Sequence, residues 1–68
     1  MEEVRDCHGS LVCMADGMAG LIERKTSKEH ITAILPVGGK IAFDTKGAYT
    51  ELERVNDQLF FVNSFANR

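Results

Sequence analysis

The run Ile31-Thr32-Ala33-Ile34-Leu35-Pro36-Val37-Gly38-Gly39-Lys40-Ile41-Ala42-Phe43 decides how the chain is read. Two β-prone segments flank a Gly-Gly pair. Primed turns need positive φ, which glycine takes without steric cost, so the pattern predicts a two-residue hairpin. Its register would set Val37 against Lys40, Pro36 against Ile41, Leu35 against Ala42 and Ile34 against Phe43. Opposed residues share a face. The first strand is apolar on both faces and is expected to be covered on both; its partner is apolar mainly on one. Pro36 lacks an N–H, so a third strand alongside must end before it.

Working outward, Leu11 to Lys25 admits two readings. Asp16-Gly17 is a favoured turn dipeptide between Leu11-Val12-Cys13-Met14 and the segment Met18 to Arg24, which predicts a hairpin. Leu11, Met14, Ala15, Met18, Leu21, Ile22 and Lys25 also follow helical spacing behind Ser10 as N-cap, which predicts a helix over 11–25 and an α+β fold. That helix would carry Gly17 and Gly20 inside, at up to ~1 kcal/mol each relative to alanine. We take the hairpin as the expectation and keep the helix as its alternative.

Downstream, Asp44-Thr45-Lys46-Gly47 predicts a type I turn closing on a left-handed glycine with a G1 bulge, setting Phe43 against Tyr49. Thr50-Glu51-Leu52-Glu53 fits a capping box and predicts a 3₁₀ or helical turn over Glu51 to Val55. Leu59-Phe60-Phe61-Val62 reads as a short apolar strand. The expected fold is therefore mainly β, with five to six short strands and one 3₁₀ turn. Residues 1–8 are expected as a mobile arm, 9–65 as the β domain and 66–68 as a frayed tail.

Composition bounds the rest. A 68-residue chain makes one domain with a marginal core, for which self-association is the expected staple. Two cysteines are too few for a disulfide framework and suit a reducing cytoplasm. The acidic start lacks a signal-peptide pattern, and no apolar run approaches the ~20 residues of a membrane span. The chain is expected to be soluble, cytoplasmic and independent of membranes. A net charge of −2 suits a general phosphate-backbone binder poorly.

Gly9, Val12, Gly17, Gly20 and Ile22 resemble the first hairpin of KOW-type and related SH3-like barrels. Gly47 to Asn56 is similar to the close of such barrels, including the Leu-Glu-Arg-aliphatic-Asn run of plasmid-type dihydrofolate reductases. The resemblance implies that residues 9–65 form a small SH3-like barrel. The pore-lining Val-Gln-Ile-Tyr run of the reductase family is absent, so its activity does not carry over. Glu29-His30, Ala33-Ile34, Val37, Gly39-Lys40 and Gly47 are similar to the last hairpin of the tryptophan-activated RNA-binding attenuation protein family. The positions matching that family's RNA-contacting Lys and Arg hold Pro36 and Gly38, and its tryptophan loop is missing.

Candidate chemistry is sparse. Cys7, His8, Cys13 and His30 are the soft metal ligands, and their spacing is not that of a zinc knuckle. Cys7 beside His8 does not make a dyad, because neighbours in a strand point to opposite faces. Asp44, Glu51, Glu53 and Asp57 cluster around turns and the expected cap, a solvation and capping pattern. Arg24, Lys25, Lys28 and His30 form a basic connector. No catalytic residue, metal or cofactor is assigned.

Adjacent Phe60 and Phe61 must face opposite ways in a strand, so one of them, with Phe65, is surplus to so small a core. The expected function is a non-enzymatic adaptor or regulator that self-associates and binds protein through Phe60, Phe61 and Phe65. The alternative is a single-stranded nucleic-acid module, most naturally RNA, with Phe43 and Tyr49 stacking bases beside Lys40 and Lys46. A third possibility is a small enzyme whose site forms only between subunits.

Overall fold

The computed structural model describes residues 1–67 and is all β, with seven strands. These are β1 (Glu2–Arg5), β2 (Leu11–Asp16), β3 (Leu21–Lys25), β4 (His30–Ile34), β5 (Lys40–Thr45), β6 (Ala48–Arg54) and β7 (Phe60–Ala66). They form two antiparallel sheets, β1-β2-β3-β4 and β5-β6-β7, which do not close into a barrel. Among the described residues there is no helix long and apolar enough to cross a membrane.

The Leu11–Lys25 segment is a hairpin, with Asp16 opposite Leu21, Ala15 opposite Ile22 and Met14 opposite Glu23. The helical alternative is therefore not adopted. The turn is longer than the Asp16-Gly17 dipeptide alone. Residues 17–20 make the loop, and the Asp16 carboxylate accepts the backbone N–H groups of Met18 and Ala19 at 3.1 and 3.4 Å. That side chain starts the turn by doing what a backbone carbonyl would otherwise do.

The segment around Gly38-Gly39 is a turn but not a hairpin turn. β4 pairs with β3 and β5 with β6, so residues 35–39 carry the chain from one sheet to the other. Gly39 N donates to Pro36 O at 2.8 Å. The Gly38 and Arg54 backbones decide where the chain goes next: Gly38 N donates to Arg54 O, and Arg54 N donates to Gly39 O at 2.9 Å. The turn is thus stitched to β6, and the expected pairing of Ile34 with Phe43 is replaced by Ile34 opposite Leu21.

Further expectations change. Residues 2–5, expected within an arm, form β1 against β2, where Val4 is buried and the charged neighbours face solvent. The capping box is not used: β6 runs straight through residues 50–54, alternating Thr50, Leu52 and Arg54 inward with Tyr49, Glu51 and Glu53 outward. The β5–β6 link is the two-residue Lys46-Gly47 loop, with Thr45 opposite Ala48, so Tyr49 faces Asp44 and Phe43 faces Thr50. A two-residue loop moves the register by one place from a bulged one, which separates the expected Phe43–Tyr49 pair. At the other end, Ala66 closes β7 and Asn67 Nδ2 donates to the Asp44 carboxylate at 2.7 Å. The remaining residue of the expected tail, 68, lies outside the described residues.

One core lies between the sheets. Val4, Val12, Cys13, Ala15 and Ile22 come from the first sheet; Phe43 and Leu52 come from the second, with Ile31, Leu35, Ile41 and Phe60 packed around them. Val12 and Cys13 are consecutive and both buried. The ladder steps from Val4–Cys13 to Arg5–Leu11, leaving Val12 as an extra bulged residue, and that bulge breaks the alternation. Ile22 and Leu52 are fully buried, each worth about 1.5–3 kcal/mol of transfer free energy.

Candidate functional site

The outward face of β5-β6-β7 is set by register. Lys40, Glu53 and Phe61 form one cross-strand row; Ala42, Glu51 and Asn63 the next; Asp44, Tyr49 and Phe65 the third. Side-chain alternation sends Phe60 inward onto the core and leaves Phe61 and Phe65 in solvent at 59% and 50% exposure. Tyr49 and Phe65 stack in a tilted pair, with ring centroids 5.5 Å apart and planes at 43°. Tyr49 thus finds its aromatic partner on β7, and not on β5.

β7 is an edge strand. It pairs with β6 on one side and with no strand among the described residues on the other. Its sequence, Phe-Phe-Val-Asn-Ser-Phe-Ala, contains no charge, proline or glycine. Where β1 and β7 fail to meet, an open cleft of about 730 Å³ lies between the sheets, lined by Val4, Ala15, Met18, Leu59, Phe60 and Val62. Val62 points inward yet stays 38% exposed, because no strand completes the core beside it. Of the other exposed apolar side chains, Met1, Leu11, Met18, Ile34 and Val37 are distributed over the N-terminus, β2, the β2–β3 loop, β4 and the inter-sheet link, and Val55 and Leu59 lie in the loop that leads into β7.

Elsewhere the structure separates the groups that sequence placed together. Phe43 is buried in the core, and the Arg24 guanidinium lies 5.6 Å from its ring centroid. It therefore shares no surface with Tyr49, and the expected base-stacking pair is not assembled. Lys40 sits in a row with Glu53, and Lys46 lies in the β5–β6 turn. The basic connector is divided too: Arg24 turns inward and donates to Val12 O at 2.6 Å, whereas His30 lies 2.7 Å from the Glu23 carboxylate. Asp44, Glu51 and Glu53 decorate the outer face and cap no helix.

The soft ligands are dispersed. Cys13 is buried, and burial pushes its thiol up to about 11, partly offset by the nearby Arg24 charge. Cys7 is exposed, and its backbone N–H donates to Ser64 Oγ at 3.0 Å. The His8 ring meets Gly47 O at 3.0 Å; since a carbonyl only accepts, Nε2 carries the proton. His30 opens β4, two strands away from Cys13 on β2 in the first sheet. Among the described residues no three His, Cys, Asp or Glu side chains converge as a metal site. Asp6 holds the 6–10 loop together. Its carboxyl lies below the usual range because the Ser10 backbone N–H donates to it, helped by that of His8.

Two features were not read from sequence. One is the exposed inward Val62, which depends on the absence of a neighbouring strand. The other is the Tyr49–Phe65 pair, which depends on the β6–β7 register set by the loop of residues 55–59. Compared with protein-family models, with curated proteins and with solved structures, the chain matches none.

Proposed function

We propose that this chain is a non-enzymatic interaction module, an adaptor or regulator that self-associates and binds protein through β7. The observation that carries the reading is an uncharged seven-residue edge strand that exposes Phe61 and Phe65 beside Tyr49. Unpaired N–H and C=O groups supply directional bonding to an added strand, and exposed aromatic rings supply apolar area. Natural edge strands are ordinarily protected by charge, proline or a bulge, and β7 carries none of these. Its two free thiols suit a reducing cytoplasm.

The SH3-like likeness belongs to this reading as a proposal. It draws support from Gly17, which lets the β2–β3 loop lie directly on the backbone of Gln58 and Leu59.

Light scattering over a concentration series tests the function. The wild-type chain is expected to rise above its 7.5 kDa mass as concentration increases. The double variant Phe61→Ser/Phe65→Ser is expected to stay folded and monomeric. Association that survives both substitutions would place the surface elsewhere, and a wild type that stays monomeric at every concentration would remove self-association from the reading.

A further inference from the structure

We infer that the partner β7 takes is β7 of a second copy, paired antiparallel about a two-fold axis at Asn63, so that two three-stranded sheets become one of six strands. The inference rests on the reading of β7 as a self-association surface and adds the edge, the symmetry and the register.

The four sheet edges are not equivalent. β1 is four residues long, carries Glu2, Glu3 and Arg5, and ends in a register shift. β4 has five residues and runs into the Leu35-Pro36 link. β5 presents Lys40 and Asp44. β7 alone combines seven residues with no charge. An edge without charge does not repel its own copy, and a closed two-fold interface must be self-complementary.

The register follows from the sequence of the strand. Asn63 is the middle residue of Phe60–Ala66, so an axis there overlaps the whole strand. It sets Phe61 opposite Phe65 of the second copy, and Phe65 opposite its Phe61. Opposed residues share a face, so both pairs fall on the outer face. Phe65 already stacks on Tyr49. Each side of the axis then carries a three-ring row of Tyr49, Phe65 and the second copy's Phe61. Val62 meets Ser64 on the inner face. Moving the axis to Val62 or Ser64 sets one aromatic against Asn63 and leaves the other ring unpaired. On the outer face, Glu51 and its symmetry mate stand three strand spacings apart, roughly 14 Å, beyond the ~10 Å screening length at 0.1 M salt.

Cysteine crosslinking reads the register directly. Directly opposed residues on antiparallel strands have Cα atoms about 4.5–5.5 Å apart, inside the range a disulfide spans. In a Cys7→Ser background, with Cys13 buried, Asn63→Cys is expected to form a disulfide-linked dimer under mild oxidation. Adding Phe61→Ser/Phe65→Ser is expected to abolish it. Ala42→Cys, at the centre of the opposite edge strand β5, is expected to stay reduced. A spin label on the thiol introduced by Asn63→Cys gives an independent reading, as strong dipolar broadening in the dimer. An associating chain in which that thiol stays free and unbroadened, or in which the Ala42→Cys variant crosslinks instead, overturns the edge and register but leaves self-association standing. A chain that does not associate at all overturns both.

Discussion

The Arg24 guanidinium, on β3 of one sheet, lies 5.6 Å from the ring centroid of Phe43, on β5 of the other, and donates to Val12 O at 2.6 Å. A charged side chain thus bridges the interior and ties three strands together. Its charge is tolerated because the ring face and a carbonyl replace part of its water.

Replacing Arg24 by methionine keeps an apolar stem and removes both polar contacts. The expected loss is about 2 kcal/mol, the sum of a charge-assisted hydrogen bond and a cation–π contact. Urea denaturation should show a lower midpoint with an unchanged slope. A midpoint equal to wild type would mean that the guanidinium is held by solvent and not by the core.

Gly17 and Gly38 separate two reasons for glycine. A Cβ at Gly17 would fall 2.7 Å from Leu59 Cα and closer still to Gln58 O, both backbone atoms of the β6–β7 loop. Gly17→Ala must push the two loops apart, at an expected cost of about 1–3 kcal/mol. Gly38 has open space around it but a φ of +89°. Gly38→Ala should therefore cost only the left-handed strain, about 1–2 kcal/mol, with no change in the surrounding structure. Amide chemical-shift changes should reach Gln58 and Leu59 in the first variant and stay local in the second. Local changes in both would show that the loops are not in contact.

Local turn chemistry made part of this fold legible. Asp16-Gly17 and Lys46-Gly47 sit at real reversals because Asp and Gly dictate backbone shape whatever follows. Gly38-Gly39 obeys the same rules, yet the chain steps to the other sheet there. That choice depends on the backbone of Arg54, 15 residues later, which no local pattern contains. β1 was hidden because an edge strand needs only one buried residue, and Val4 among Glu2, Glu3 and Arg5 looks like a polar arm. In β6 the capping pattern Thr50-x-x-Glu53 competed with a strict two-residue alternation, and the alternation wins because Thr50 and Leu52 both reach full burial. The opposite orientations of Phe60 and Phe61 followed from alternation alone. Which of the two faced solvent required the register with β6.

Cys13 links the core to alkaline pH. In the unfolded chain its thiol ionises near the ordinary value of 9.0, whereas in the folded chain it stays neutral until about 11. The stabilisation is complete below pH 9 and is lost as pH rises through 11, because only the unfolded chain releases the proton early. The loss should reach about 2–3 kcal/mol above that window. Cys13→Ala should flatten this part of the stability curve relative to wild type, in denaturant titrations from pH 8 to 11. Matching slopes would show that the thiol is not responsible. Native-state labelling at neutral pH should modify Cys7 and spare Cys13, since only Cys7 is exposed.

Thr50 and Ser64 form the polar contact inside the second sheet. Thr50 is fully buried, and its Oγ1 lies 2.9 Å from Ser64 Oγ, which also accepts the Cys7 N–H at 3.0 Å. Either hydroxyl can donate in this pair, because Ser64 Oγ keeps a second lone pair beside the one that Cys7 uses. Ser64→Ala strands the Thr50 hydroxyl in the core and should cost about 1–3 kcal/mol. Thr50→Val strands a Ser64 hydroxyl that keeps Cys7 and can reach water, so its cost should be smaller. The double variant removes both polar groups and should be more stable than the two single losses imply, by a coupling of about 1 kcal/mol. Strictly additive losses would show that the two hydroxyls do not interact. Ser64 lies next to Asn63 on the free edge, so this contact also fixes the strand that the second copy must meet. Ser64→Ala should therefore weaken association more than Thr50→Val does, measured by the concentration at which half the chains are dimeric.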